Sequence, residues 1–120
     1  MEYVNAGHDP PIVYRPASGV FEELQSTGML LGILPSERFR LGDVVQFNAG
    51  DLMLLTTDGI WEAADPDGAA FGKKRVFDIL RDMHEQPCQA ILDELFRKVD
   101  VHCGGLPAKD DQTAVLFKFR

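Results

Sequence analysis

Two acidic positions in the sequence stand where chemistry could be done. Asp58 follows the apolar run Leu52-Met53-Leu54-Leu55-Thr56-Thr57, and Asp110-Asp111 precedes the alternating run Thr113 to Phe119. If these runs are neighbouring antiparallel strands, the end of one lies beside the start of the other, and the carboxylates converge. Converging carboxylate oxygens hold hard divalent cations such as Mg²⁺ or Mn²⁺, and such ions activate water for phosphate-ester hydrolysis. Asp-Gly and Asp-Asp are also ordinary turn formers, so spacing alone leaves a plain pair of turns as the alternative.

Other reactive residue types point less far. Gly68-Ala69-Ala70-Phe71-Gly72-Lys73 has three residues between its glycines and no Ser or Thr after the lysine, so it reads as the loop before a helix rather than a phosphate loop. His8, His84 and His102 show no metal-ligand spacing with one another or with the cysteines, and Asp65-Pro66-Asp67-Gly68 reads as a surface turn. Trp61 follows the Asp-Gly pair directly and fits either a wall of a site or a core aromatic. Cys88 and Cys103 form no CxxC pair and are expected to be reduced, neutral thiols, as in a reducing compartment.

The elements that must position Asp58 and Asp110 can be read from hydrophobic period. Residues 52–57 are apolar on both faces, as in a central strand covered on each side. The first quarter reads as an antiparallel meander: Tyr3–Ala6 and Ile12–Tyr14 as a hairpin around Gly7 to Pro11, then a turn at Pro16–Gly19 into Val20–Leu24. Phe39 to Phe47 is expected as a further strand, with Val45 and Phe47 on one face. From Lys73 the period becomes helical, with Val76, Ile79, Leu80 and Met83 aligned until Gln86-Pro87. A second helix carries Ile91, Leu92, Leu95, Phe96 and Val99, and stops at Gly104-Gly105. The last strand places Thr113, Val115, Phe117 and Phe119 on an apolar face.

Composition sets the frame. A chain of 120 residues with 45% hydrophobic and 26% charged residues fits one globular domain over 1–120. Nineteen acidic against twelve basic residues give a net charge of −7, which disfavours nucleic acid and anionic membrane surfaces as partners. No apolar run approaches the ~20 residues of a membrane span, and Met1 is followed by Glu2 rather than a basic leader, so a cytoplasmic protein is expected.

A further signal lies in the order of the motifs. Tyr3-Val4-Asn5-Ala6-Gly7-His8-Asp9-Pro10-Pro11, Leu31-Gly32-Ile33, Gly50-Asp51 running on to Thr57-Asp58-Gly59-Ile60-Trp61-Glu62-Ala63, Phe71-Gly72 and Asp110-Asp111-Gln112-Thr113 occur in succession. In this order they resemble the stage II sporulation protein E-like bacterial branch of the PPM family of metal-dependent serine/threonine phosphatases, from about residue 2 to residue 119. The resemblance implies an α+β fold, an α-β-β-α sandwich, with a binuclear Mn²⁺ or Mg²⁺ centre at one edge. It assigns metal ligation to Asp58 and Asp110, and a support or second-metal role to Asp111 and Gly59. It implies hydrolysis of phosphoserine or phosphothreonine by metal-activated water, on a phosphorylated regulatory protein such as an anti-sigma-factor antagonist.

One departure from the family pattern matters. The family carries a further metal-binding aspartate before the Asn-Ala-Gly-His hairpin, where this chain begins, and Asp9 lies after that motif rather than before it. The chain is therefore expected to be the C-terminal portion of the domain, N-terminally incomplete, with a depleted metal site. Unpaired sheet edges would then favour homo-oligomers. The alternative reading is a catalytically inactive, truncated phosphatase-like domain that acts as a protein-interaction module.

Overall fold

The computed structural model describes residues 1–120. Its elements, in chain order, are β1 (Ile12–Arg15), β2 (Val20–Glu23), β3 (Leu52–Thr56), α1 (Lys73–Met83), α2 (Cys88–Cys103) and β4 (Ala114–Lys118). The strands form one antiparallel sheet in the order β2-β1-β3-β4. The Pro16–Gly19 turn closes the β1–β2 hairpin, with the Ser18 and Gly19 amides donating to the Arg15 carbonyl and Gly19 at φ 70°, a conformation glycine adopts at little cost.

Both helices cover one face of the sheet. Ile12, Tyr14, Leu52, Leu54 and Leu116 meet Val76, Ile79 and Leu80 of α1 and Ile91, Leu95 and Val99 of α2 in the main core. The helical period read from the sequence is the buried stripe observed, and α2 ends where Gly104 takes the left-handed conformation. The opposite face has a smaller core: Val13, Leu24, Val45 and Met53, flanked by Tyr3, Phe47, Leu55 and Phe119.

Three expectations are corrected. Residues 1–9 form no strand, so the expected hairpin around Gly7 to Pro11 is absent, whereas the expected turn at Pro16–Gly19 does join β1 to β2. Residues 39–47 form no strand either; this segment joins the chain start through hydrogen bonds from the Val45 amide to the Met1 carbonyl and from the Gly42 amide to the Tyr3 carbonyl. The expected pleat persists there, since Val45 is buried and Gln46 exposed, but the few bonds to another irregular segment do not make a ladder. In β4 the buried residue is Leu116, whereas Val115 and Phe117 are 46% and 47% exposed, because the helices select the other side of the strand. Residue 52–56 burial on both faces agrees with expectation.

The turn that feeds β3 is pinned electrostatically. Asp51, 2% exposed, accepts from Arg15 Nη1 at 2.8 Å and from the Asn48 amide at 2.9 Å. Arg15 also donates to the Gln46 carbonyl and pairs with Glu22, whose hydrogen bond chiefly holds the guanidinium pKa above its ordinary value. Removing Asp51 costs the partly buried guanidinium one of its two carboxylate partners and leaves the Asn48 amide without its acceptor. Asp51→Ala is expected to lower the unfolding free energy by about 2 kcal/mol in urea titration, whereas Lys74→Ala, which breaks an exposed pair with Asp78, changes it by less than about 0.5 kcal/mol.

Candidate functional site

The site is built at the corner where β3 ends and β4 begins. Antiparallel register sets Thr56 opposite Ala114, so the residues after Thr56 and before Ala114 leave the sheet side by side. Thr57 locks the two exits together: its amide donates to the Thr113 carbonyl at 3.1 Å, its hydroxyl donates to the Asp111 carbonyl at 2.9 Å, and the same oxygen accepts from the Thr113 amide at 3.0 Å. Thr57 was not singled out from sequence, where it read only as the end of a strand. A hydroxyl directly before the Asp-Gly pair was the available signal.

Beyond Thr57 the chain turns tightly. The Ile60 amide donates to the Thr57 carbonyl and the Glu62 amide to the Asp58 carbonyl, while the fully buried Ile60 and the largely buried Trp61 anchor the turn in the main core. Gly59 is packed so closely on the Asp110-Asp111 backbone that a Cβ there would overlap the Asp111 carbonyl oxygen. Its requirement is space rather than unusual φ. Side chains of Asp58, Asp110 and Asp111 are exposed at this corner, so the structure brings the sequence-designated acids to one edge. One Asp110 oxygen accepts from the Asp111 amide at 2.7 Å, which fixes that carboxylate.

The donor set suits a hard cation: exposed carboxylate oxygens on a rigid corner. No group of three or more His, Cys, Asp or Glu side chains is gathered for one ion, so these carboxylates do not by themselves build a binuclear site. The other sequence candidates fall elsewhere. Trp61 is a core residue with Lys73 Nζ 4.9 Å above its ring. His8 is exposed, with Nδ1 at 2.8 Å from the Asp9 carbonyl, and its own carbonyl accepts from Asn5 Nδ2. Asp65 caps its turn by accepting from the Asp67 and Ala69 amides, and the loop up to Gly72 leads into α1 as expected. Cys103 is buried and Cys88 half-buried, both as free thiols.

Sequence and structural comparisons agree with this picture. Residues 1–120 match the family described as Stage II sporulation protein E (SpoIIE). Protein IcfG of Synechocystis is 29% identical over 115 residues, 96% of this chain and 18% of its own length. Phosphoserine phosphatase RsbP of Bacillus subtilis is 27% identical over 116 residues, 97% of this chain and 27% of its own length. The SiaA-PP2C domain of Pseudomonas aeruginosa superposes with a TM-score of 0.79 at 24% identity, over 99% of this chain and 46% of that one. The chain thus spans about a fifth to a quarter of the curated relatives and under half of the solved domain. With its motifs in order, its sheet and helices sharing the fold of a PP2C domain and a phosphoserine phosphatase among its similar proteins, this chain belongs to the SpoIIE family.

Proposed function

We propose that residues 1–120 form the C-terminal portion of a PPM-type phosphatase domain that hydrolyses phosphoserine or phosphothreonine esters in bacterial regulatory signalling. The observation that carries this reading is the juxtaposition of Asp58 with Asp110 at the locked β3–β4 corner. In this reading Asp58 and Asp110 hold a divalent ion, Mn²⁺ or Mg²⁺, which when bound supplies an activated water and charge stabilisation at phosphorus. Thr57 and the Asp111 backbone are positioning groups: they fix the separation of the two exits before any ion arrives, so little reorganisation accompanies binding. Gly59 permits the close approach. A phosphorylated regulatory protein such as an anti-sigma-factor antagonist, encountered in the cytoplasm, is the proposed substrate class.

A second reading, a non-catalytic interaction module, draws support from the absence of a gathered set of three ligating side chains. The two separate cleanly by experiment. Mn²⁺-dependent hydrolysis of p-nitrophenyl phosphate by the chain is expected, with Asp58→Asn and Asp110→Asn each reducing the rate by at least about 100-fold. A parent chain without turnover at any Mn²⁺ concentration would mean that these residues alone are a fragment or an interaction module. Gly59→Ala forces the corner apart and should weaken Mn²⁺ binding by about tenfold or more in calorimetry, while far-UV circular dichroism retains the signal of both helices. Unchanged affinity would show that the corner spacing does not set the ion site.

A further inference from the structure

A cleft of about 140 Å³ opens beside Asp110, between the turn that follows Asp58 and the segment joining α2 to β4. Ala63 and Ala64 form one wall and Leu106 and Pro107 the other, with Cys103 and Gly59 also lining it; Glu62, Lys109 and Gln112 supply its polar groups. Its walls are braced against each other away from the sheet. His102 Nε2 is 2.8 Å from the Ala69 carbonyl, and Gly104 packs so closely on Pro66 that a Cβ there would lie 3.3 Å from the proline ring. The Leu106 amide donates back to the Cys103 carbonyl at 3.1 Å. The cleft is therefore preformed.

Its size selects the occupant. Whole-ligand pockets run from about 300 Å³ upward, whereas a water occupies about 30 Å³, so this cavity suits one side chain. Its position selects which one. Asp110 belongs both to the proposed ion site and to the cleft lining, and successive residues of an extended peptide are separated by about 3.3–3.6 Å. Side chains two positions apart project from the same face of an extended chain, about 7 Å from each other, so a chain whose phosphorylated hydroxyl lies at the acidic corner presents the residue two positions away to the cleft mouth. The lining selects the chemistry: five of its eleven residues are hydrophobic, and with Lys109 set against Glu62 and Asp110 its charges nearly offset, so apolar contact rather than charge decides the occupant.

We infer that this cleft is a specificity subsite that takes the uncharged aliphatic side chain two positions from the phosphorylated residue of a protein substrate. The inference rests on the phosphatase reading for the placement of the phosphate, yet it can be tested without turnover. Fluorescein-labelled phosphoserine peptides carrying Leu, Trp or Glu two positions before and two positions after the phosphoserine are titrated with the full chain in Mn²⁺ and read by fluorescence anisotropy. The Leu peptide is expected to bind at least about fivefold more tightly than the Trp and Glu peptides. Ala108→Trp, at an exposed lining position, fills the mouth and should erase that preference; Leu106→Lys should do the same, which guards against a misfolded single variant. Equal binding of the three peptides, a preference that survives both variants, or no binding of any peptide would each overturn the subsite. Normal p-nitrophenyl phosphate turnover with equal peptide binding removes the subsite and leaves the phosphatase reading. A Leu preference lost in both variants, from a chain without turnover, does the reverse.

Discussion

The register of β3 on β4 is the constraint on which the rest depends. Leu54 opposite Leu116 and Thr56 opposite Ala114 place apolar side chains toward the helices and, at the same time, align the two strand exits. A slip of one residue would turn Leu116 outward and separate Asp58 from the Asp110 segment in the same movement. The acidic corner is electrostatically unfavourable in isolation, since like charges gather there. Burial of the strands against α1 and α2 offsets that cost, and the paired hydrogen bonds of Thr57 hold the exits in place.

The two faces of the sheet are held by different means. Toward the helices, the fully or nearly buried Leu52, Leu54, Val76, Ile79, Ile91 and Val99 make a continuous apolar layer. On the other face, Met53 and Val13 are covered by irregular chain, and much of the covering segment leaves its apolar groups in water: Leu31 is 73% and Leu41 66% exposed. The stacked rings of Phe47 and Phe119, 3.8 Å between centroids, and the Arg15–Asp51 pair tie this covering to the sheet. No helix of the chain is long and apolar enough to cross a membrane.

Much of this was legible in the residues. The helices follow from strong period and punctuation, with Gln86-Pro87 and Gly104 ending them as their chemistry requires. β3 was readable because both its faces are apolar, and the acids were readable because they abut strands. The 39–47 segment misled because alternation reports burial, not pairing: Val45 is inside, yet a ladder needs a neighbouring strand, and only the irregular chain start is there. β4 misled for a related reason. Its two faces are both apolar, and only the position of α2 decides that Leu116 is the inward one. The hydroxyl of Thr57 before the Asp-Gly pair was a signal, but its double role exists only once Thr113 and Asp111 are placed beside it. The ordered motifs added what no local pattern could, the family.

The long irregular stretch between β2 and β3 has a consequence for how the chain divides. Every group of the acidic corner, from Thr57 to Glu62 and from Asp110 to Thr113, lies after it in sequence, whereas the β1–β2 hairpin lies before it. A protease nick at Leu31 would therefore yield two fragments that remain joined by the β1–β3 ladder and by Ile12 and Tyr14 in the main core, with the larger retaining the whole corner. Modularity of this kind is set by sheet order: because β1 sits between β2 and β3, the hairpin docks through a single strand.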